Sequence, residues 1–94
     1  MHKIFKSSVF CGGSLINPEK IEFFSDNTIV YKQNNILNHS QFSISLPIYN
    51  IISIDIFPKI FGNQIVIRSF NRSDIIANGF SDKQTKIIKS FITA

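Results

Sequence analysis

Ser43-Ile44-Ser45-Leu46-Pro47-Ile48-Tyr49-Asn50-Ile51-Ile52-Ser53-Ile54-Asp55-Ile56 holds two apolar runs that meet at a polar corner. Before the corner, Phe42, Ile44, Leu46 and Ile48 alternate with Ser43 and Ser45. Period-two alternation marks a half-buried strand, because successive side chains point to opposite faces. Pro47 has no amide hydrogen and suits a strand end or an edge. After Asn50 the alternation resumes, with Ile52, Ile54 and Ile56 on one face and Ser53 and Asp55 on the other. Isoleucine and phenylalanine favour strands because their bulk packs on a pleated surface. The stretch predicts a strand, a corner at Tyr49 and Asn50, and a second strand ended by Pro58.

The flanks extend the same pattern. Residues 2–10 predict a first strand with imperfect alternation, broken by Cys11-Gly12-Gly13. The pattern leaves open whether residues 1–18 stay within the domain or form an arm exchanged with a neighbour. Asn17-Pro18 is a turn signal. Residues 19–24 predict a strand with Ile21 and Phe23 on one face, Glu22 and Phe24 on the other. Ser25-Asp26-Asn27 has turn chemistry, since Asp and Asn bond back to their own backbone. Residues 28–33 complete a hairpin, with Ile29 and Tyr31 opposite Val30 and Lys32. Residues 34–40 predict a polar loop whose Ile36 and Leu37 plug one end of the core. Residues 59–63 predict a loop or bulge, 64–70 a sixth strand, 71–74 a turn, and 75–80 a short seventh strand.

Ser81-Asp82-Lys83-Gln84 fits a capping box, in which Ser81 and Gln84 exchange bonds between side chain and backbone. Asp82 suits the positive end of the helix dipole. Ile87, Ile88, Phe91 and Ile92 form a stripe at helical spacing, flanked by Lys83, Lys86 and Lys89. A C-terminal amphipathic helix over residues 82–93 follows, docking its stripe on a sheet or across the open end of a sandwich. The fold class is mainly β, about seven strands, with this one helix.

The chain has 94 residues, which predicts a single domain over 1–94. It is 44% hydrophobic and 17% charged, which argues against disorder. No apolar run approaches the ~20 residues that span a bilayer, and no secretory apolar segment follows Lys3 and Lys6. A single cysteine makes no internal disulfide. Together these give the cytoplasm as the expected location.

The strand order resembles that of the small bacterial pleckstrin-homology-like domains. The likeness is carried by Ile21-Glu22-Phe23-Phe24-Ser25-Asp26-Asn27-Thr28-Ile29-Val30-Tyr31-Lys32, by Phe42-Ser43-Ile44-Ser45-Leu46-Pro47 leading into Ile51-Ile52-Ser53-Ile54-Asp55-Ile56, and by Gly79-Phe80-Ser81 before the closing helix. It covers about residues 19–94. It implies a bent β-sandwich or partly open barrel capped at one corner by the helix. It also implies self-association or a protein partner, since the fold hosts lipid binders, peptide binders and assembly modules. Lipid-binding members carry closely spaced basic residues around the first hairpin; here the turns at residues 12–18 and 25–28 carry none.

Catalytic chemistry is not expected. Cys11 or a serine would need a nearby base, and His2 and His39 fall at a terminus and in a loop. His2, His39 and Cys11 lack metal-ligand spacing. Glu19, Glu22, Asp26, Asp55, Asp74 and Asp82 are scattered, with Asp55 on a solvent face. Cys11-Gly12-Gly13-Ser14 lacks the Gly-Lys-Ser/Thr ending of a phosphate loop. No cofactor or metal is expected. Phe70 with Arg68 and Tyr31 with Lys32 are the only hints of an aromatic-basic face, so nucleic acid is not the expected partner.

Two classes of function lead, and a third, a small enzyme or ligand carrier, has only the apolar composition behind it. The first is a non-enzymatic interaction module that assembles with itself or with a protein partner; Ile-rich edge strands could accept an added strand. The alternative is an anionic lipid surface, suggested by the net charge of +4. Its candidate contacts are Lys32, Lys59, Arg68 and Arg72.

Overall fold

The computed structural model describes residues 2–70 and 74–93. Along the chain run β1 (Lys3–Lys6), β2 (Glu19–Phe23), β3 (Thr28–Asn35), β4 (Ser40–Pro47), β5 (Ile51–Lys59), β6 (Gly62–Ser69), β7 (Ile75–Phe80) and α1 (Asp82–Thr93). β1 to β4 form one antiparallel sheet in sequence order, and β5 to β7 form a second. Over the described residues the protein is therefore mainly β with one C-terminal helix, a partly open sandwich of seven strands. The turn predicted at residues 71–74 falls on residues 71–73, outside the described residues.

The corner of the central stretch is where the chain leaves one sheet for the other. Ile48–Asn50 make a single 3-10 turn between β4 and β5. The Ile48 N–H donates to the Asn27 carbonyl at 2.8 Å, and the Phe70 N–H donates to the Asn50 carbonyl at 3.0 Å. The corner is thus tied to the β2–β3 turn on one side and to the end of β6 on the other.

β5 departs from its predicted faces. Its pairing with β6 shifts between Ile51 and Ser53. An extra residue in one strand rotates the side chains that precede it. Ile51 packs on the core, Ile54 is buried, and Ile52 between them is 58% exposed. Pro58 does not end the strand either. β5 runs on to Lys59, with Pro58 opposite Asn63. It is an edge strand, where a missing N–H leaves no ladder bond unmade. The predicted loop at 59–63 is a two-residue turn, Ile60-Phe61, closed by Lys59 opposite Gly62.

The sheets meet over Ile21, Phe23, Ile29 and Leu46 on one side and Ile65, Ile67, Ile75 and Phe80 on the other, all essentially buried. Fully burying a side chain of this size contributes about 1.5–3 kcal/mol. α1 closes the gap between the sheets at one end. Ile88 is buried, with Ile87, Phe91 and Ile92 against the core. The Phe91 ring lies 5.0 Å from Phe23 and 6.3 Å from Phe5. The helix starts on the predicted capping box. The Gln84 N–H donates to Ser81 Oγ at 3.1 Å and the Ser81 N–H to Gln84 Oε1 at 2.9 Å.

The N-terminal segment packs on the first sheet. β1 pairs with β2, and a 3-10 turn, Val9–Cys11, follows. The Ser8 N–H donates to the Gly79 carbonyl at 2.8 Å. A Cβ on Gly79, whose φ is +90°, would stand 2.5 Å from Gly13 Cα, so this crossing requires glycine.

Ile36 and Leu37 do not plug the core. β3 and β4 stay paired out to Asn35 opposite Ser40, which carries both side chains to an exposed hairpin tip. Asn35 Oδ1 accepts from the N–H groups of Leu37 and Asn38 there.

Candidate functional site

The inner face of the first sheet is longer than the second sheet that covers it. Glu19, Gln33 and Phe42 occupy one cross-strand row of β2, β3 and β4. The alternation correctly places Phe42 on the face of Ile44 and Leu46, yet its ring is exposed while Leu46 is buried. Beside this row runs β7, the last strand of its sheet. The result is a cleft of about 270 Å³ lined by Glu19, Tyr31, Gln33, Phe42, Ile44, Asp74, Ile76 and Asn78.

Glu19 fixes the geometry of the cleft floor. It is 6% exposed. Its Oε1 accepts the Tyr31 hydroxyl hydrogen at 2.5 Å, and the Asn78 N–H lies 3.3 Å from both carboxylate oxygens. That contact shows which side of β7 faces away from β6. There Glu19 accepts the Asn78 N–H and the Ser8 N–H donates to the Gly79 carbonyl, and the edge before them is open among the described residues. In a strand the N–H and C=O of alternate residues point the same way, so Ile76 shares the direction of Asn78. Burial raises the Glu19 pKa above the ordinary value, against the lowering effect of the bonds from Tyr31 and Asn78. Burial, then the neighbouring Glu19, pushes the Tyr31 hydroxyl up.

Glu22 sits on the outer face of the same strand. His2 Nε2 approaches its Oε2 at 2.8 Å, and Lys20 and Lys32 lie 3.4 and 3.3 Å from its Oε1. The His2 ring also stacks on Phe24 at 4.6 Å. The bond from His2, with help from Lys32 and Lys20, outweighs desolvation and lowers the Glu22 pKa.

The three described basic candidates do not form one patch. Lys32 is committed to Glu22 on the first sheet. Arg68 stands opposite Ser53 on the second sheet, and Lys59 ends β5. From residue 53 to residue 59 the strand extends roughly 20 Å at its normal rise. Arg72 lies outside the described residues. Asp55, opposite Val66, is half-buried and shows no partner bond among the described residues.

The 3-10 turn and the β5–β6 turn make a second surface feature. A Cβ on Gly12 would touch Phe61, and one on Gly62 would collide with the Cys11 carbonyl oxygen, so the two segments abut. There Phe10 is 92% and Ile60 89% exposed, with Val9 and Phe61 exposed beside them.

Among the described residues no group of three His, Cys, Asp or Glu could hold a metal ion. No described helix is long and apolar enough to cross a membrane. Cys11 is a free thiol. Compared with known proteins, the chain matches no family model, no curated protein and no solved structure.

Sequence reading treated Glu19 as one of several scattered acids. The missed signal was parity: the alternation that buries Ile21 and Phe23 puts Glu19 on the same face, and hairpin register sets Tyr31 diagonally across from it.

Proposed function

We propose that the chain is a non-enzymatic interaction module of the bacterial pleckstrin-homology-like type, which takes an extended segment of a protein partner, or of a second copy, along the free edge of β7. The single observation behind this is the cleft. It sets an edge strand beside the exposed apolar groups Phe42 and Ile76. An added strand would find main-chain groups to bond and apolar positions for alternate side chains. The order of four strands, three strands and a closing helix supports the family reading. The single free thiol of Cys11 fits a reducing, cytoplasmic setting.

The test is native mass spectrometry at several concentrations, on the parent chain, Ile76→Pro and Phe42→Ser, with affinity capture from a lysate for any monomer. Proline at 76 deletes an edge N–H without removing a β6–β7 bond. A discrete oligomer, or a captured partner, that both variants lose supports the reading. A monomer that captures nothing, or assembly indifferent to both variants, overturns it.

A second reading, an anionic lipid surface, has its own observation. Residues 1–18 and 56–73 contain no carboxylate but carry Lys3, Lys6, Lys59, Arg68 and Arg72, and these segments hold the exposed Phe10 and Phe61. Apolar insertion combined with cationic attraction is a recognised mode of peripheral binding. Vesicle sedimentation decides it: binding must need anionic lipid, weaken with salt, and fall in Phe10→Ser and Phe61→Ser.

A further inference from the structure

We propose that the β7 cleft selects a partner segment bearing a cationic side chain, lysine or arginine, whose charged group sits between Asp74 and the Tyr31–Phe42 aromatic pair. The inference rests on the proposed strand-accepting edge and adds the chemistry of what it accepts.

The charge of the cleft runs against that of the whole molecule. The chain carries a net +4, yet the cleft lining contains two carboxylates, Glu19 and Asp74, and no basic residue among the described residues. Lys20 and Lys32, next in sequence to lining residues, lie against Glu22 on the other face of the sheet, and Lys6 lines a separate opening beside Pro18 and Asn34. Asp74 is exposed and shows no salt bridge among the described residues.

The aromatic side is equally suited to a cation. The Tyr31 and Phe42 rings stand edge to face, with centroids 6.4 Å apart and planes at 69°. The face of an aromatic ring carries the negative lobe of its quadrupole and attracts ammonium and guanidinium groups. An acidic rim beside an exposed ring is therefore a place where a cation is favoured twice. Gln33 adds an amide oxygen that can accept from it.

Size restricts the occupant. A volume of about 270 Å³ lies below the usual range for drug-sized ligands, and it suits a side chain entering from an added strand. Such a strand directs every second residue to one face. One residue would enter the cleft, its neighbours two positions away would share its face beside Ile44, and the residues between them would share the outward face of Ile76.

The experiment is a titration of the isotope-labelled full chain with acetyl-Val-Thr-Xaa-Thr-Val-amide, where Xaa is arginine, glutamine or glutamate, followed by amide chemical shifts. The expected result is movement of the Ile76, Ala77, Asn78 and Phe42 amides. The arginine peptide should bind roughly tenfold more tightly than the glutamine peptide, with the glutamate peptide weakest. Asp74→Asn, a change at an exposed site, should cut the arginine advantage by about threefold. Equal binding of the arginine and glutamine peptides at the β7 edge overturns the cation preference and leaves the strand-accepting reading standing. No movement of the edge amides with any peptide removes that reading, and this inference with it. An arginine advantage unchanged in Asp74→Asn overturns the placement of the cation.

Discussion

Glu19 and Glu22 both lie on β2, Glu19–Phe23, and bury their carboxyl groups on opposite faces of the same sheet. The inward one meets a phenol and a backbone N–H at the floor of a cleft. The outward one is covered by the side chains that bond it, His2, Lys20 and Lys32, on an otherwise open sheet face. The first environment penalises charge by desolvation; the second supplies positive charge at contact distance. Their pKa values accordingly move in opposite directions.

Glu19 should make the protein less stable as pH rises. Its folded pKa is raised above 4.5, so the protonated form is favoured by folding. That contribution is complete below the unfolded pKa and is lost as pH climbs through the folded one. Glu19→Gln keeps an uncharged acceptor for Tyr31 at every pH. Urea midpoints of parent and variant, measured from about pH 4 to about pH 8, should diverge in favour of the variant as pH rises. A constant offset from the altered Asn78 contact is expected; a flat difference across the range would contradict the assignment.

For Glu22 the sign is reversed. Its folded pKa is lowered from 4.5, so the ionised form stabilises the fold above the unfolded pKa, and this is lost as pH falls through the folded value. Glu22→Gln should flatten the acid limb of the stability curve between about pH 5 and about pH 2. His2→Ala should flatten it partly, because the His2 bond is the largest of the lowering causes. An acid limb identical in parent and Glu22→Gln would rule this out.

How much of this was legible depends on the range of the interaction concerned. The helix was readable to its end residues because capping and the Ile87–Ile88–Phe91–Ile92 stripe are local. The strand, corner and strand around Tyr49 and Asn50 were readable for the same reason. Phe42 shows the limit: its face followed from alternation, but its exposure depends on how far a different sheet extends over it. Ile36 and Leu37 were misplaced because the length of the β3–β4 pairing, not their own hydrophobicity, sets where they end. The basic candidates were legible as residues but not as a group, since Lys32 belongs to one sheet and Lys59 and Arg68 to the other. The cleft needed Glu19, Phe42 and Ile76 brought together from three separate stretches.

The capping box gives a stability prediction that is independent of the site. Ser81 Oγ accepts the Gln84 N–H, one of the donors that the first helical turn leaves without a partner. Ser81→Ala should destabilise the protein by about 1 kcal/mol. Gln84→Ala should cost about as much, since Gln84 Oε1 accepts from Ser81 and its Nε2 donates to the Lys6 carbonyl at 2.9 Å, joining α1 to β1. Urea unfolding of the two single variants and the double variant checks this. If the pair acts as one box, the double variant loses less than the sum of the singles.

The irregularity at the start of β5 makes adjacent isoleucines energetically different. Plain alternation would put Ile52 and Ile54 on one face and give truncation at either site a similar cost. The shift in pairing between Ile51 and Ser53 breaks that equivalence. Ile54 is buried against the core, whereas Ile52 is turned out. Deleting a buried isoleucine side chain removes its transfer free energy and leaves a cavity that the surroundings refill only in part. Ile54→Ala should therefore cost about 2–5 kcal/mol. Ile52→Ala should fall within about 0.5 kcal/mol of the parent, because its side chain is solvated before and after folding. Ile51→Ala, on the core side of the irregularity but only half-buried, should lie between them. Chemical denaturation of the three variants gives the order directly. If Ile52→Ala were as damaging as Ile54→Ala, the strand would be regular there and both side chains would share the core face.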